Sequence, residues 1–370
     1  MTTAVPSTRS QTVKLFRFEQ RGAWLALAGI LCTFFGLSWD IQWHADVGPD
    51  TFWTVPHLFV YAGAAFSGAA SLIVILMSTA RARRERAPHW ISILGGRFSG
   101  AVGFVVSGFG ALGFLLFGLF DQWWHLIYGF DVTLNSPPHI GLVLSMIVTM
   151  IGAALIFVQG RRVQAVGFVL SIAVGVSFAL PVLSFLFKEL DQSWAFLLFP
   201  GMFFGLALLL VASVTRNVWW VLGLTVLIAV FRTINWYGIP LADQAYASAL
   251  GYAVKDDAKG FAYIPYLTPM LAPLAGLAVA AVLSFWKRSG WNVQVGALVA
   301  GALAAPLLFL GNPVIDLLQM PVVIPVIMLV TAAFGWLGWQ LGVVLHYANS
   351  DLNDETFLAG AGLPGQDVTA

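Results

Sequence analysis

Apolar residues run along this chain in ten long blocks separated by short polar connections. The blocks cover roughly 22–42, 53–78, 97–123, 138–159, 163–187, 193–215, 217–239, 262–286, 292–311 and 322–346. Each is about 20 residues or slightly more, the length an α-helix needs to cross the hydrocarbon core of a bilayer. The pattern predicts an all-α fold: a polytopic helical membrane bundle of about ten transmembrane helices. The first block follows a polar start that ends near Phe18 and is not followed by a small-residue cleavage site. It is therefore read as the first span and not as a removed signal peptide.

Composition agrees with the pattern. Of 370 residues, 59% are hydrophobic and 9% charged, with a mean hydropathy of +0.86. A soluble domain carries about 25% charged residues. The net charge of +1 gives no electrostatic case for nucleic acid as a partner. The single cysteine, Cys32, lies inside the first block, so no internal disulfide or thiolate cluster can form.

Charge then orients the bundle. When the connections are numbered alternately, one set holds 14 of the 18 Lys and Arg residues, and the other holds only Lys188, Arg232, Lys255 and Lys259. Basic residues stay on the cytoplasmic side, so both termini are expected there, in a cell membrane. The opposite connections, with Asp40, Asp50, Asp121, Asp131, Asp191 and Asp243, are expected to face the periplasm or the exterior. In the third block, Ser99, Gly103, Ser107 and Ala111 recur every four residues, a spacing expected of a helix-packing face.

Two of the outer connections repeat one another. The first reads Asp40, Trp43, His44, Gly48 and Asp50, then Pro56-His57; the second reads Asp121, Trp124, His125, Gly129 and Asp131, then Pro138-His139. The offsets are identical until one inserted residue precedes the closing Pro-His. Four of the chain's 6 histidines fall in these two copies. The other two, His89 and His346, sit at expected cytoplasmic edges with no carboxylate partner expected.

The spacing has a chemical meaning. Asp40 with His44, and Asp121 with His125, stand at i and i+4 and share one helix face. His57 and His139 begin the next helix just after a proline, which a first turn tolerates. Each hairpin can thus bring one carboxylate and two imidazoles to a point, a divalent-metal ligand set with open positions. Asp50 and Asp131, with Trp43 and Trp124, are candidates for the surrounding groups that orient the ligands. A tryptophan at a membrane edge or an aspartate in an outer loop is ordinary by itself. The duplication of the whole set at matched spacing is what points to metal. Ligand type alone leaves copper, iron and zinc open.

These motifs resemble the copper-containing membrane monooxygenases, specifically the membrane subunit of particulate methane monooxygenase and ammonia monooxygenase that carries two such histidine patterns. The first of its patterns is Asp-x3-His-x12-His, matched here by Asp40, His44 and His57 with Trp43 and Pro56 in place. The second, Asn-x3-His-x13-His, is matched in spacing by Asp121, His125 and His139, with Asp121 standing where the family has Asn. The resemblance covers about residues 23–160. It implies copper at both sites, oxygen-dependent oxidation of a small apolar substrate, and two further partner subunits. Nothing in the chain provides a haem or flavin, so an electron donor, a quinol or a protein, is also implied.

The expected organisation is a cytoplasmic segment over 1–21, a metal-binding membrane region over 22–160, a further six-helix region over 161–347, and a disordered tail over 348–370. In the six-helix region Asp191-Gln-Ser-Trp194 echoes the repeat with its histidine lost. Arg232 is expected to pair with Glu189 or Asp191, because an arginine in an apolar run is costly alone. The connection at 240–262, with Tyr246, Tyr252 and Lys255, reads as a long solvated loop, a cap over the metal sites or a docking surface for a partner. A non-catalytic role in copper or zinc handling competes with oxidation. Transport is disfavoured, since polar residues are nearly absent from mid-helix positions.

Overall fold

The computed structural model describes residues 16–48, 51–85, 87, 89–129, 136–159, 163–188, 195–258, 260, 262, 268–310 and 323–347, with backbone only for 183–188 and 195–197. These residues form ten α-helices: α1 (Arg17–Asp46), α2 (Val55–Ala82), α3 (Val102–Tyr128), α4 (Pro137–Val158), α5 (Ala165–Lys188), α6 (Ala195–Thr215), α7 (Trp219–Leu250), α8 (Ala272–Arg288), α9 (Val293–Phe309) and α10 (Val323–Tyr347). Eight of them, all but α8 and α9, are long and apolar enough to cross a membrane. The expected all-α membrane bundle is therefore what the chain forms. α8 and α9 have 17 residues each, about 26 Å at 1.5 Å per residue, slightly under a bilayer core.

Backbone approach explains how the first four helices pack. A Cβ on Gly29 of α1 would lie 2.7 Å from the Gly63 carbonyl of α2, and one on Gly110 of α3 would lie 2.5 Å from the Thr149 nitrogen of α4. No side chain fits at either position, and such contacts replace the hydrophobic drive that helices lack among themselves in lipid. The contacts run in opposite order along each pair: Gly22 meets Val74 while Gly36 meets Val60, and Gly103 meets Ile156 while Gly113 meets Ser145. Between α2 and α3, Gly68 meets Ala111 and Gly108 meets Ser71. All three pairs are antiparallel, so the C-termini of α1 and α3 and the N-termini of α2 and α4 gather at one end. The small-residue stripe divides: Gly103 and Ser107 pack on α4, whereas Ala111 faces α2 and Ser99 lies outside the helix.

Three features depart from the expected pattern. A two-stranded hairpin, β1 (Trp90–Ile93) paired antiparallel with β2 (Phe98–Ala101), precedes α3 where the third span was expected to begin. Leu94, Gly95 and Gly96 take positive φ at its turn, a conformation that the two glycines adopt freely. A short apolar run such as Phe98–Ala101 does not distinguish strand from helix on its own.

The second departure concerns His89, which does have a carboxylate partner. Its Nε2 lies 3.0 Å from Oε1 of Glu19 in α1, which also accepts from Trp90 Nε1 at 2.8 Å. The other carboxylate oxygen of Glu19 accepts from the Phe16 backbone N–H at 2.8 Å, at the helix start. Glu19 is fully buried. The partners are 70 residues apart, so local spacing carried no sign of the pair.

Third, α7 continues through Pro240 to Leu250, eleven residues beyond the expected end. The stretch after the proline is rich in alanine, a strong helix former. Gly251 then closes the helix in the left-handed conformation. Arg232 on α7 donates from Nε to the Thr268 carbonyl at 3.2 Å and lies over the Trp236 ring. The partners expected for it, Glu189 and Asp191, fall outside the described residues, as do Trp194 and the segment 348–370.

Candidate metal centres

At the end where α1 and α2 meet, Asp40 and His44 occupy the last two turns of α1 and His57 the first turn of α2. Asp40 Oδ1 lies 3.0 Å from His57 Nε2 and 3.9 Å from His44 Nε2. At the end where α3 meets α4, Asp121 Oδ1 lies 3.4 Å from both His125 Nε2 and His139 Nε2. In each group the three ligand atoms lie within 4.8 Å of one another. Both triads predicted from spacing are thus assembled, each inside its own hairpin and both at one end of the bundle.

The outer ring nitrogens explain why these imidazoles point inward. His57 Nδ1 lies 3.0 Å from the Thr51 carbonyl, and His125 Nδ1 lies 3.0 Å from the Gly129 carbonyl. A carbonyl only accepts, so in both rings Nδ1 carries the proton. His139 Nδ1 is held by Ser136 Oγ at 2.9 Å. A neutral ring fixed in this way presents the lone pair of Nε2 to its carboxylate. Two lone pairs at 3.0–3.4 Å repel unless a cation lies between them, whether a proton on the ring or a metal. Oδ1 of Asp40 and Oδ1 of Asp121 are both buried and have no hydrogen-bond partner. Ligating histidines are commonly oriented by such carbonyl or hydroxyl partners.

Thr51, Gly129 and Ser136 were not anticipated as orienting groups. The local signal was present: Thr51 and Thr54 form a tight turn through mutual hydrogen bonds, and Ser136 precedes the prolines that open α4. Serine and threonine favour such turns before a helix. Asp50 and Asp131, expected in this role, lie outside the described residues. Trp43 is fully buried and packs against Tyr246 of α7, with ring centroids 4.8 Å apart, while Trp124 packs against Phe120 and Tyr128 of its own helix. Ser136→Ala is expected to weaken divalent-metal binding at the second centre about 10–100-fold. Competition with a chelator measures this, with the first centre unchanged.

The loop after α7 lies on the first centre. Lys255 donates from its backbone N–H to the Asp46 carbonyl at 2.8 Å, and its Nζ donates to the carbonyls of His44 at 3.1 Å and Ala45 at 3.2 Å. It therefore caps the C-terminus of α1, where a cation opposes the helix dipole. This is a cap on the end of a helix, made by the backbone and ammonium group of Lys255.

An apolar groove of about 1160 Å³ separates α2 from α3. Its floor includes Ala65, Gly68, Gly108 and Ala111, and at one end it reaches Trp53, Tyr61 and Gln122. Tyr61 stacks on the His57 ring, with centroids 6.0 Å apart, and Gln122 adjoins Asp121 in sequence. Through Tyr61 the groove approaches the first triad. Comparisons of the chain with protein-family models, with curated proteins and with solved structures gave no match.

Proposed function

We propose that this chain is a membrane metalloprotein that binds copper at two centres and oxidises a small apolar substrate with molecular oxygen. The observation that carries the reading is the duplicated triad, two imidazoles and one carboxylate, with His57 and His125 held in the tautomer that ligates through Nε2. Such a set leaves positions open for oxygen or substrate. The choice of copper over iron or zinc rests on the likeness of the two motifs to those of the copper membrane monooxygenases. The groove supports an apolar substrate, since its lining is almost wholly apolar and at one end it includes Tyr61, which stacks on His57 of the first triad.

In this reading Asp40 and Asp121 supply the negative charge that balances the metal, and the four histidines fix its position. Phe52, Trp53 and Tyr61 line the groove end nearest the first triad. Bound copper would supply the oxygen-activating chemistry, with electrons from a quinol or a partner protein and with partner subunits completing the enzyme. The distribution of basic residues supports centres on the outer face of a cell membrane.

Metal analysis with electron paramagnetic resonance on the detergent-purified protein tests this, beside a variant with His44, His57, His125 and His139 changed to Ala. About two copper ions per chain are expected in the parent, one for each triad, and none in the variant. A parent that holds no stoichiometric metal after reconstitution overturns the reading. Copper bound without oxygen-dependent turnover, even with reductant and partner subunits present, would reassign the chain to metal handling.

A further inference from the structure

Beyond the histidine triads, a second kind of ligand set lies between α1 and α7. Asp243 of α7 is 1% exposed, and neither of its carboxylate oxygens has a hydrogen-bond partner. The carboxylate whose charge acts on it is Asp46 of α1, itself 4% exposed. Asp46 Oδ2 accepts from Gln42 Nε2 at 2.6 Å, and its Oδ1 has no partner. The two helices are fastened at this level by Tyr246, one turn beyond Asp243, which packs on Trp39 at 5.8 Å and Trp43 at 4.8 Å. The Trp39 indole N–H at this level is also buried and without a hydrogen-bond partner.

Three carboxylate oxygens are thus buried and unsatisfied in one small region. A buried carboxylate without a partner is strongly destabilising, and two neighbouring ones cannot both stay ionised unless a positive charge joins them. Among the described residues no Lys or Arg forms an ion pair with either. Lys255, which reaches this end of α1, spends its ammonium group on the carbonyls of His44 and Ala45. A cation bound from outside the chain would supply the balancing charge.

We propose that Asp46 and Asp243 hold a hard divalent cation, Ca²⁺ or Mg²⁺, that ties the end of α1 to α7. Two carboxylates balance a charge of two, and an all-oxygen set selects hard cations over the softer metals that imidazoles prefer. The site is chemically distinct from the triads and does not depend on what they bind. Its role is to position: α1 carries Asp40 and His44, so a cation at Asp46 fixes the helix end that supplies two of the first triad's three ligands.

The test uses the full chain in detergent, stripped with chelator and titrated with Ca²⁺ by calorimetry and by thermal unfolding, with Mg²⁺ as competitor. Saturable binding of one Ca²⁺ and a raised unfolding temperature are expected. Both should survive His44→Ala with His57→Ala and be lost in Asp243→Asn, a nearly isosteric change. Parent protein that binds neither cation overturns the proposal. So does an Asp243→Asn protein that, in chelator, already unfolds at the temperature of the Ca²⁺-loaded parent, because the pair would then be satisfied by a proton alone.

Discussion

Replacing His57 with Ala is expected to empty the first centre and leave the second filled, halving the metal content of the protein. The centres share no ligand: Asp40, His44 and His57 come from the α1–α2 hairpin, and Asp121, His125 and His139 from the α3–α4 hairpin. Removing one of three protein ligands leaves a pair at i and i+4, which cannot enclose an ion with open positions still to fill. The loss should be at least 100-fold in affinity, beyond the 10–100-fold expected when only an orienting partner is removed. Adding His139→Ala should bring the metal content to zero. Metal counts on the single and double variants decide the matter; loss of both ions in the single variant would show one shared centre.

The second large effect is expected at Gly29, far from any ligand. Gly29→Leu places a side chain against the Gly63 carbonyl at 2.7 Å and the Ser67 nitrogen at 2.8 Å. These are backbone atoms, so the conflict is relieved only if α1 moves away from α2. Overpacking of this kind costs about 1–3 kcal/mol and more where backbone must shift, so a loss of about 3 kcal/mol is expected in thermal unfolding in detergent. Because Asp40 and His44 sit on one of these helices and His57 on the other, the first centre should also lose affinity. The second centre, on the α3–α4 hairpin, should keep its metal. Unfolding and metal titration of one preparation measure both effects. A stable variant with an intact first centre would show that helix spacing does not set the ligand geometry.

The sequence made the triads legible because their order is local. Asp40 and His44 lie one turn apart, and Pro56 marks where the next helix starts and so where His57 points. The bundle was legible for a related reason, since a lipid-crossing helix satisfies its own backbone and must be apolar throughout. What stayed hidden depended on distant partners. His89 meets Glu19 across 70 positions, and Lys255 reaches the His44 carbonyl across 211; neither residue differs in local pattern from an ordinary surface group. Asp243 was read as an outer-loop aspartate because the seventh apolar block ends near residue 239. The continuation of α7 past Pro240 turns the same residue inward against α1.

The cap provided by Lys255 makes the two copies of the repeat unequal. The Asp–His pairs of both triads sit in the last turns of their helices, α1 and α3, where the summed peptide dipoles leave about half a negative charge. At the first triad the Lys255 ammonium group lies on those carbonyls and cancels much of that charge. At the end of α3, no described lysine or arginine makes the corresponding contact. An ion in the first triad therefore rests in a weaker negative field than one in the second, although the ligands are the same in kind and number. The two copies of the repeat thus share their coordination chemistry but not their electrical environment, and a loop contributed from the far half of the chain is what separates them.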